Sequence, residues 1–508
     1  MAFSKSRGQQ DFSHLFVEGA MSIRSLRSNW LHFLNQEEVH QVHQAVLRVL
    51  EEVGVRVEWQ PALEVYQQAG CRVDFNQSVV QIPEAVLMSA LKTAPSNFRL
   101  HAPDEAFDVL VTLEDVYTVA GSSALSVLDL DGNHRPATLQ DLVDFTRLID
   151  ALEQAHIMHA MVVPQDIPQA GFDRILFSTI MQNSRKHYYS QGLGGQSVED
   201  QVKMAAVVQG SVDVVMRQPV FSMVICFISP LVHPADRVQE MMACARYHIP
   251  VWLEATNMMG STGPVTIAGA LVEHTANVLA GVVLMQLLNP GHPCIFAVAS
   301  GGFNMRSGSY VASSPEAVLL HCASAQMAHF YGLPFQGGSG VDSCIPDGQA
   351  GYERMLQAAP MSLAGVNFIH LAFGMMDQLL TSSYEQAVID NEILTAAFRL
   401  AHGIEIGPET LAVEQIKAVG PGGQFLTEDY TLRNYRRHQW HPQLTTRVAW
   451  DEWQRLYQGK DIRQRANETA RQILAHHTPQ VLAADQAREI ERMAVAFQQR
   501  AIQEARSG

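Results

Sequence analysis

Charge is scarce in this chain and unevenly placed. Only 17% of its 508 residues are charged, 35 basic against 51 acidic for a net of −16, a balance that repels phosphate backbones and argues against a nucleic-acid partner. Cysteine is sparse as well. Cys71, Cys226, Cys244, Cys294, Cys322 and Cys344 stand far apart, with no CxxC and no Cys-His cluster at zinc-finger spacing, so free thiols are expected and no metal site is. No uncharged apolar run approaches the ~18 residues of a membrane span, and MAFSKSRGQQDFSHLF at the start lacks a signal peptide's apolar core. The expectation is a cytoplasmic protein without membrane attachment.

Several catalytic signatures are missing too. There is no P-loop, no HExxH and no GxSxG at a strand end, which argues against nucleotide, zincin and serine-hydrolase chemistry.

What is present is a 47% hydrophobic composition, enough for a sizeable core. In QEEVHQVHQAVLRVLEEVGV the apolar residues Val39, Val42, Val46, Val49, Leu50 and Val53 recur at helical spacing, with Gly54 as the stop. PALEVYQQAGCRVDF gives a second helix and a short strand, and IPEAVLMSALKTAP a third helix opened by Pro83. From about 114 the pattern changes to eight strand-like runs, at 115–129, 159–166, 186–192, 219–231, 250–259, 292–303, 334–343 and 366–377. Helix-like stretches follow them at 138–154, 172–183, 197–216, 234–247, 264–289, 314–331, 348–364 and 379–402. Eight alternating units specify a closed parallel sheet. The fold class is therefore α/β: a (β/α)8 TIM barrel over 114–402, preceded by an N-terminal α/β extension over 1–113 and followed by a mainly helical C-terminal extension over 403–508. A doubly wound open sheet is the alternative, but no GxGxxG follows the first strand.

From Arg433 onward there are 13 Lys or Arg against 8 Asp or Glu. This tail either packs on an acidic body or presents an ordinary solvated helical face. GPGG at 420–423 marks a sharp turn, read as a packing feature unless its loop closes over a site.

Active sites of such barrels lie at the C-terminal strand ends. No lysine stands at any of the eight ends, which disfavours a Schiff base. Aromatic and amide residues are abundant there, accompanied by Glu254, Asp342 and Asp377. Aromatic faces and a diffuse negative field can hold a quaternary ammonium group, which has no N–H to donate; the same aromatics can equally be barrel packing. His370 shares one strand face with Phe368 and Ala372, as a hydrogen-bonded core group or a functional one.

GSTGPVTIAGALVEHTANVLAGVVLMQLLNPGHPCIF (260–296), SSPEAVLLHCASAQMAHFYGLPFQGGSGVDSCIPDGQAGYERM (313–355), TSSYEQAVIDNEIL (381–394) and VGPGGQFL (419–426) resemble the trimethylamine methyltransferase family, the corrinoid-dependent MttB type. LEEVGVRVE, IPEAVL and VLDLDGNHRPATLQDLVDFTRLIDAL extend the likeness to most of 36–430. The resemblance implies a barrel that moves a methyl group from a methylated amine to the cobalt of a corrinoid (cobalamin), carried by a separate corrinoid-binding protein or bound transiently. Founding members carry pyrrolysine in the glycine-rich region around the seventh strand, where this chain reads VDSCIPD with standard residues only. The resemblance to pyrrolysine-free members implies a quaternary amine as methyl donor: glycine betaine or a related betaine such as proline betaine, carnitine or γ-butyrobetaine.

Strand-end position and residue type then nominate Glu254 and Asp342 as the acidic field at the cation and, with His370, as the catalytic set. Tyr188, Tyr189, Trp252, Phe303 and Phe373 are candidate walls of the substrate site, and Gly337, Gly338, Gly340 and His370 candidate contacts of the corrinoid. A homo-oligomer is expected. Two other readings stay open: a lyase or aldolase-like barrel using Glu254 or Asp342 as base on a small carbonyl compound, and a non-catalytic barrel that binds a betaine or a corrinoid protein.

Overall fold

The computed structural model describes residues 26–27 and 31–507; the polar N-terminal stretch discussed above lies outside them. Asn35 and Glu38 form a reciprocal capping box at the start of helix Gln36–Arg48, each side chain accepting the other's backbone N–H. A π turn, Val49–Val53, ends at Gly54 with φ +81°. A residue with a Cβ would collide there with the Val80 backbone, so the turn needs glycine for both conformation and space.

The barrel closes. Its staves are Asp115–Thr118, the stretch 157–162, Tyr188–Ser190, Phe221–Ile228, Val251–Thr256, Cys294–Val298, Phe335–Gly338 and Phe368–His370. From the third stave to the eighth every neighbouring pair is parallel, and the eighth returns to the first through Phe368↔Tyr117 and Ile369↔Thr118. The second stave is held by single bridges, Val119↔Ile157 and Met158↔Tyr188, although its backbone still bonds both neighbours. The first run is shorter than its apolar pattern suggests. Ser126–Leu128 leaves the barrel for a side sheet with His134–Pro136 and Thr381–Ser383.

Period-2 alternation decides what faces the barrel axis. Tyr117, Tyr189, Val224, Trp252, Ile295 and Phe368 form one interior cluster with Leu100, Val109 and Val111. The last three belong to the hairpin Phe98–Leu100/Val109–Val111, which stoppers the N-terminal end. The alternate residues, such as Tyr188, Leu253, Phe296, Phe335 and Ile369, join the core shared with the surrounding helices. The longest apolar helix, Ile267–Leu288, has 78% of its most apolar window buried and packs as core between the barrel and the N-terminal helices.

The N-terminal extension is continuous with the barrel: Val55–Val57 pairs with Val232–His233, which folds back on the fourth stave. The basic tail packs on the acidic body, the first of the two readings offered for it. Arg463 pairs with Glu385, Arg471 with Asp131, and Arg500 with Asp200.

One buried ion pair fixes the seventh stave relative to the segment after the eighth. Arg354 Nε and Nη2 donate to the two oxygens of Asp390 at 2.9 and 3.2 Å, and Nη1 donates to Ser339 Oγ at 2.9 Å. Asp390 also accepts from Gly374 N and Gln386 Nε2, both at 2.8 Å. Removing one member of such a pair strands the other charge. Asp390→Ala is expected to lower unfolding free energy by about 3–5 kcal/mol in urea titration, and Arg354→Met combined with Asp390→Leu to recover most of the loss.

Candidate functional site

A cavity of about 440 Å³ opens at the C-terminal ends of the staves, within the range of about 300–1,000 Å³ typical of small-molecule sites. Ser122 lines it from beyond the first stave, Phe227, Ile228 and Ser229 from the fourth, and Glu254, Thr256, Met258 and Thr262 from the fifth and its loop. Ala299 and Tyr310 come from the sixth and its hairpin, His370, Leu371 and Leu379 from the eighth and its loop. Among these residues Glu254 is the one carboxylate, and there is no Lys or Arg.

Glu254 is 8% exposed. Its Oε2 accepts from Gln336 Nε2 at 2.8 Å, and Cys226 Sγ donates to its Oε1 at 3.5 Å. Burial pushes the carboxyl above its ordinary range, and these donors pull it partly back. Gln336 Nε2 also lies 3.2 Å from His370 Nδ1. An amide nitrogen only donates, so Nδ1 accepts and the neutral ring carries its proton on Nε2. Burial, reinforced by neighbouring His159, drives His370 well below its ordinary value. The imidazole is therefore neutral at pH 7. Its Nε2 and the hydroxyl of Ser229 are fully buried, with the Gly121 backbone beside the His370 ring and Glu273 beside Ser229.

Below this level the aromatics form a descending column. Tyr189 lies 5.0 Å from His370 between ring centroids and 4.8 Å from Trp252, which meets Phe368 at 4.6 Å. Tyr189 is thus the aromatic directly under the cavity. Trp252 is one layer deeper, donating to Ser222 Oγ at 2.6 Å, and is part of the barrel's packed floor and not a cavity wall.

Other nominated walls lie elsewhere. Tyr188 alternates with Tyr189 and turns outward, its ring 5.7 Å from Phe177. Phe373, beyond the end of the eighth stave, is buried in the core shared with the helices. Phe303 sits on the hairpin Gly301–Asn304/Ser309–Val311 opposite Tyr310, and it is Tyr310 that lines the cavity. Tyr310, Gln336 and Leu379 are not nominated by strand-end position and residue type. Strand alternation could have found Gln336, two residues before Gly338; nothing in SGSY announces that its hairpin folds back over the mouth.

Asp342 is a latch. Its carboxylate accepts from Ala312 N at 2.9 Å, Ser313 N at 3.1 Å and Ser313 Oγ at 2.7 Å, tying the loop after the seventh stave to the hairpin that carries Tyr310. All three donors belong to the protein, so this carboxylate is already committed and does not line the cavity.

The glycines also differ from expectation. A Cβ on Gly337 would meet Met361 Cε at 2.9 Å, on the helix side. Gly338 and Gly340 face inward, but Leu371 and Leu379 of the next loop cover them. The space their missing side chains leave is filled by this chain, not held open for a large planar ligand.

A latch and a charge partner fail differently. Asp342→Ala is expected to lower the thermal midpoint, at a cost of about 1.5–3 kcal/mol for the lost charge-assisted hydrogen bonds. It should weaken cationic ligands and their neutral isosteres by the same factor, as competition binding would measure.

The trimethylamine methyltransferase (MTTB) family model matches residues 5–502. The glycine betaine methyltransferase of Desulfitobacterium hafniense (strain Y51) is 35% identical over 451 residues, covering 88% of this chain and 93% of that protein. The trimethylamine methyltransferase MttB of D. hafniense (strain DSM 10664 / DCB-2) is also 35% identical over 451 residues, covering 88% and 90%. MttB of Methanosarcina thermophila is 34% identical over 465 residues, covering 90% and 95%. Among solved structures the Methanosarcina barkeri monomethylamine methyltransferase (MtmB) matches with TM-score 0.51 over 88% of each chain. At 12% identity that likeness speaks for the barrel fold alone. The extent of the sequence matches, from before the barrel to the last helix, makes this chain a member of the trimethylamine methyltransferase family.

Proposed function

We propose that this protein transfers a methyl group from a quaternary amine, glycine betaine or a related betaine, to a corrinoid carried by a separate protein. The observation that carries the reading is a buried carboxylate, Glu254, the one charged side chain among the described residues that line the cavity at the barrel mouth. The likeness to a glycine betaine methyltransferase and a seventh-stave loop of standard residues support it.

A quaternary nitrogen departs as a neutral tertiary amine, so the site need supply neither electrophile nor proton. The cavity is equipped accordingly. Glu254 provides the counter-charge, Tyr310 provides aromatic surface, and neutral His370 adds no competing positive charge. A corrinoid on another protein must approach from outside, and the cavity lies at the C-terminal mouth of the barrel, lined by neutral side chains apart from Glu254; the residues present fit such an approach. When bound, the reduced corrinoid supplies the nucleophile that accepts the methyl group. The chain's own contribution is to strip water from the cation, orient one N–CH3 bond toward the mouth and hold the counter-charge still.

Chemically reduced cobalamin incubated with the protein and glycine betaine or γ-butyrobetaine is expected to give the absorbance change of methylation and one equivalent of tertiary amine, with trimethylamine inert. Binding of betaines without transfer would favour a non-catalytic binder. Neither binding nor transfer with any quaternary amine would remove the proposal.

Proton and cation compete for the same oxygens of Glu254. Because burial raises its pKa, cation affinity should fall as pH drops into that raised range and level off above it. Glu254→Gln should flatten the dependence and weaken quaternary amines by about 100-fold, close to 2.8 kcal/mol at 1.4 kcal/mol per decade, as calorimetry across pH would report.

A further inference from the structure

Two leucines of the eighth loop occupy the places that side chains of the seventh stave would otherwise fill. A Cβ on Gly338 would lie 3.3 Å from Leu371 Cδ1, and one on Gly340 would collide with Leu379 Cδ2. Both leucines line the cavity. Both have left-handed backbone, φ +62° at Leu371 and +74° at Leu379, and Asp377 and Gln378 are left-handed too, at +52° and +55°. Branched side chains rarely adopt this conformation, so it persists only where surrounding contacts impose it.

Those contacts are present. Asp377 N donates to Ser343 O at 2.9 Å, Leu380 N closes the turn on Asp377 O at 3.0 Å, and Thr381 Oγ1 donates to Asp377 Oδ2 at 3.0 Å. Val341 N donates to Met375 O at 3.2 Å. The turn is pinned to the seventh-stave loop just after Gly340, at Val341 and Ser343. The result is an aliphatic wall three staves away from Glu254.

We infer that Leu379, seated over Gly340, is the specificity-determining wall of the cavity, setting how long a tail the methyl donor can carry. This rests on the quaternary-amine reading above. With the ammonium head beside Glu254, its one charged partner, the fourth substituent must share the remaining volume with the leucines. Leu379 controls that volume because it is half-buried and at the mouth side, whereas Leu371 is 2% exposed and packed in the core. Gly340 is the complementary half of the device: a side chain there would drive Leu379 into the cavity.

The test compares two donors with the same head and different reach, glycine betaine and γ-butyrobetaine, by calorimetric Kd and by methyl transfer to reduced cobalamin. Leu379→Ala is expected to shift the ratio of the two affinities at least tenfold toward γ-butyrobetaine, and Leu379→Phe tenfold the other way. Gly340→Ala should mimic Leu379→Phe. Gly340→Ala combined with Leu379→Ala, where the new Cβ enters the vacated space, should return the ratio toward wild type. Leu379→Val, a smaller change for use should Leu379→Ala melt early, should follow the Ala variant in direction. Ratios within twofold of wild type in folded Leu379 variants would overturn the inference while leaving the quaternary-amine reading intact. Wild-type protein that binds neither amine would overturn both.

Discussion

The Gln336 side-chain amide holds the chemistry of this barrel together. Its nitrogen donates to Glu254 on one side and faces His370 Nδ1 on the other, and both groups are almost fully buried. A carboxylate without donors in such a place would keep its proton and be useless as a counter-charge; a histidine without an acceptor role would have no fixed tautomer. One neutral side chain answers both needs without adding charge. It can do so because it stands on the seventh stave, between the fifth and the eighth, with its side chain on the inward face within reach of both groups.

Around that centre, the loops at the mouth are fastened by groups that never enter the cavity. Asp342 binds the loop after the sixth stave, Glu353 Oε2 accepts from Asp342 N and Ser343 N, and Arg354 with Asp390 fixes the turn beyond the eighth stave. Buried ionic groups of this kind add little net stability against an apolar alternative. Their value here is geometric: they determine where Tyr310 and Leu379 stand, and those two residues come from a short hairpin and a single 3-10 turn outside the barrel sheet.

This division explains what could be read from the sequence. A barrel announces itself through eight repeats of an apolar run and an amphipathic helix, and within each run the alternation of faces follows from strand geometry. Glu254 and His370 reach the cavity for that reason. Tyr188 and Tyr189 are adjacent, so only one of them can point inward, and alternation alone excludes the pair from acting together. Phe373 fails differently: at Leu371 the backbone turns left-handed, the strand ends, and counting by twos no longer applies. Asp342 and the hairpin with Tyr310 lie in the connections beyond the staves, where residue type hints at chemistry but nothing local encodes which connection folds onto which. An aspartate at a strand end reads alike whether its oxygens meet a ligand or, as here, three donors from a neighbouring loop.

The placement of charge also bears on how a methyl donor would leave. On the proposed reaction the ligand enters as a cation and departs as a neutral amine, so its attraction to Glu254 disappears at the moment of transfer. The carboxylate is then alone in a low-dielectric site whose other members are neutral, with His370 held uncharged by burial, and its raised affinity for protons takes over. Proton uptake by Glu254 from the open mouth would discharge the site and remove any reason for the tertiary amine to stay. A counter-ion of fixed charge, such as a carboxylate paired with arginine, could not relax in this way. That no Lys or Arg stands among the described residues lining the cavity therefore serves turnover as well as cation binding, because it leaves Glu254 free to exchange a bound cation for a proton.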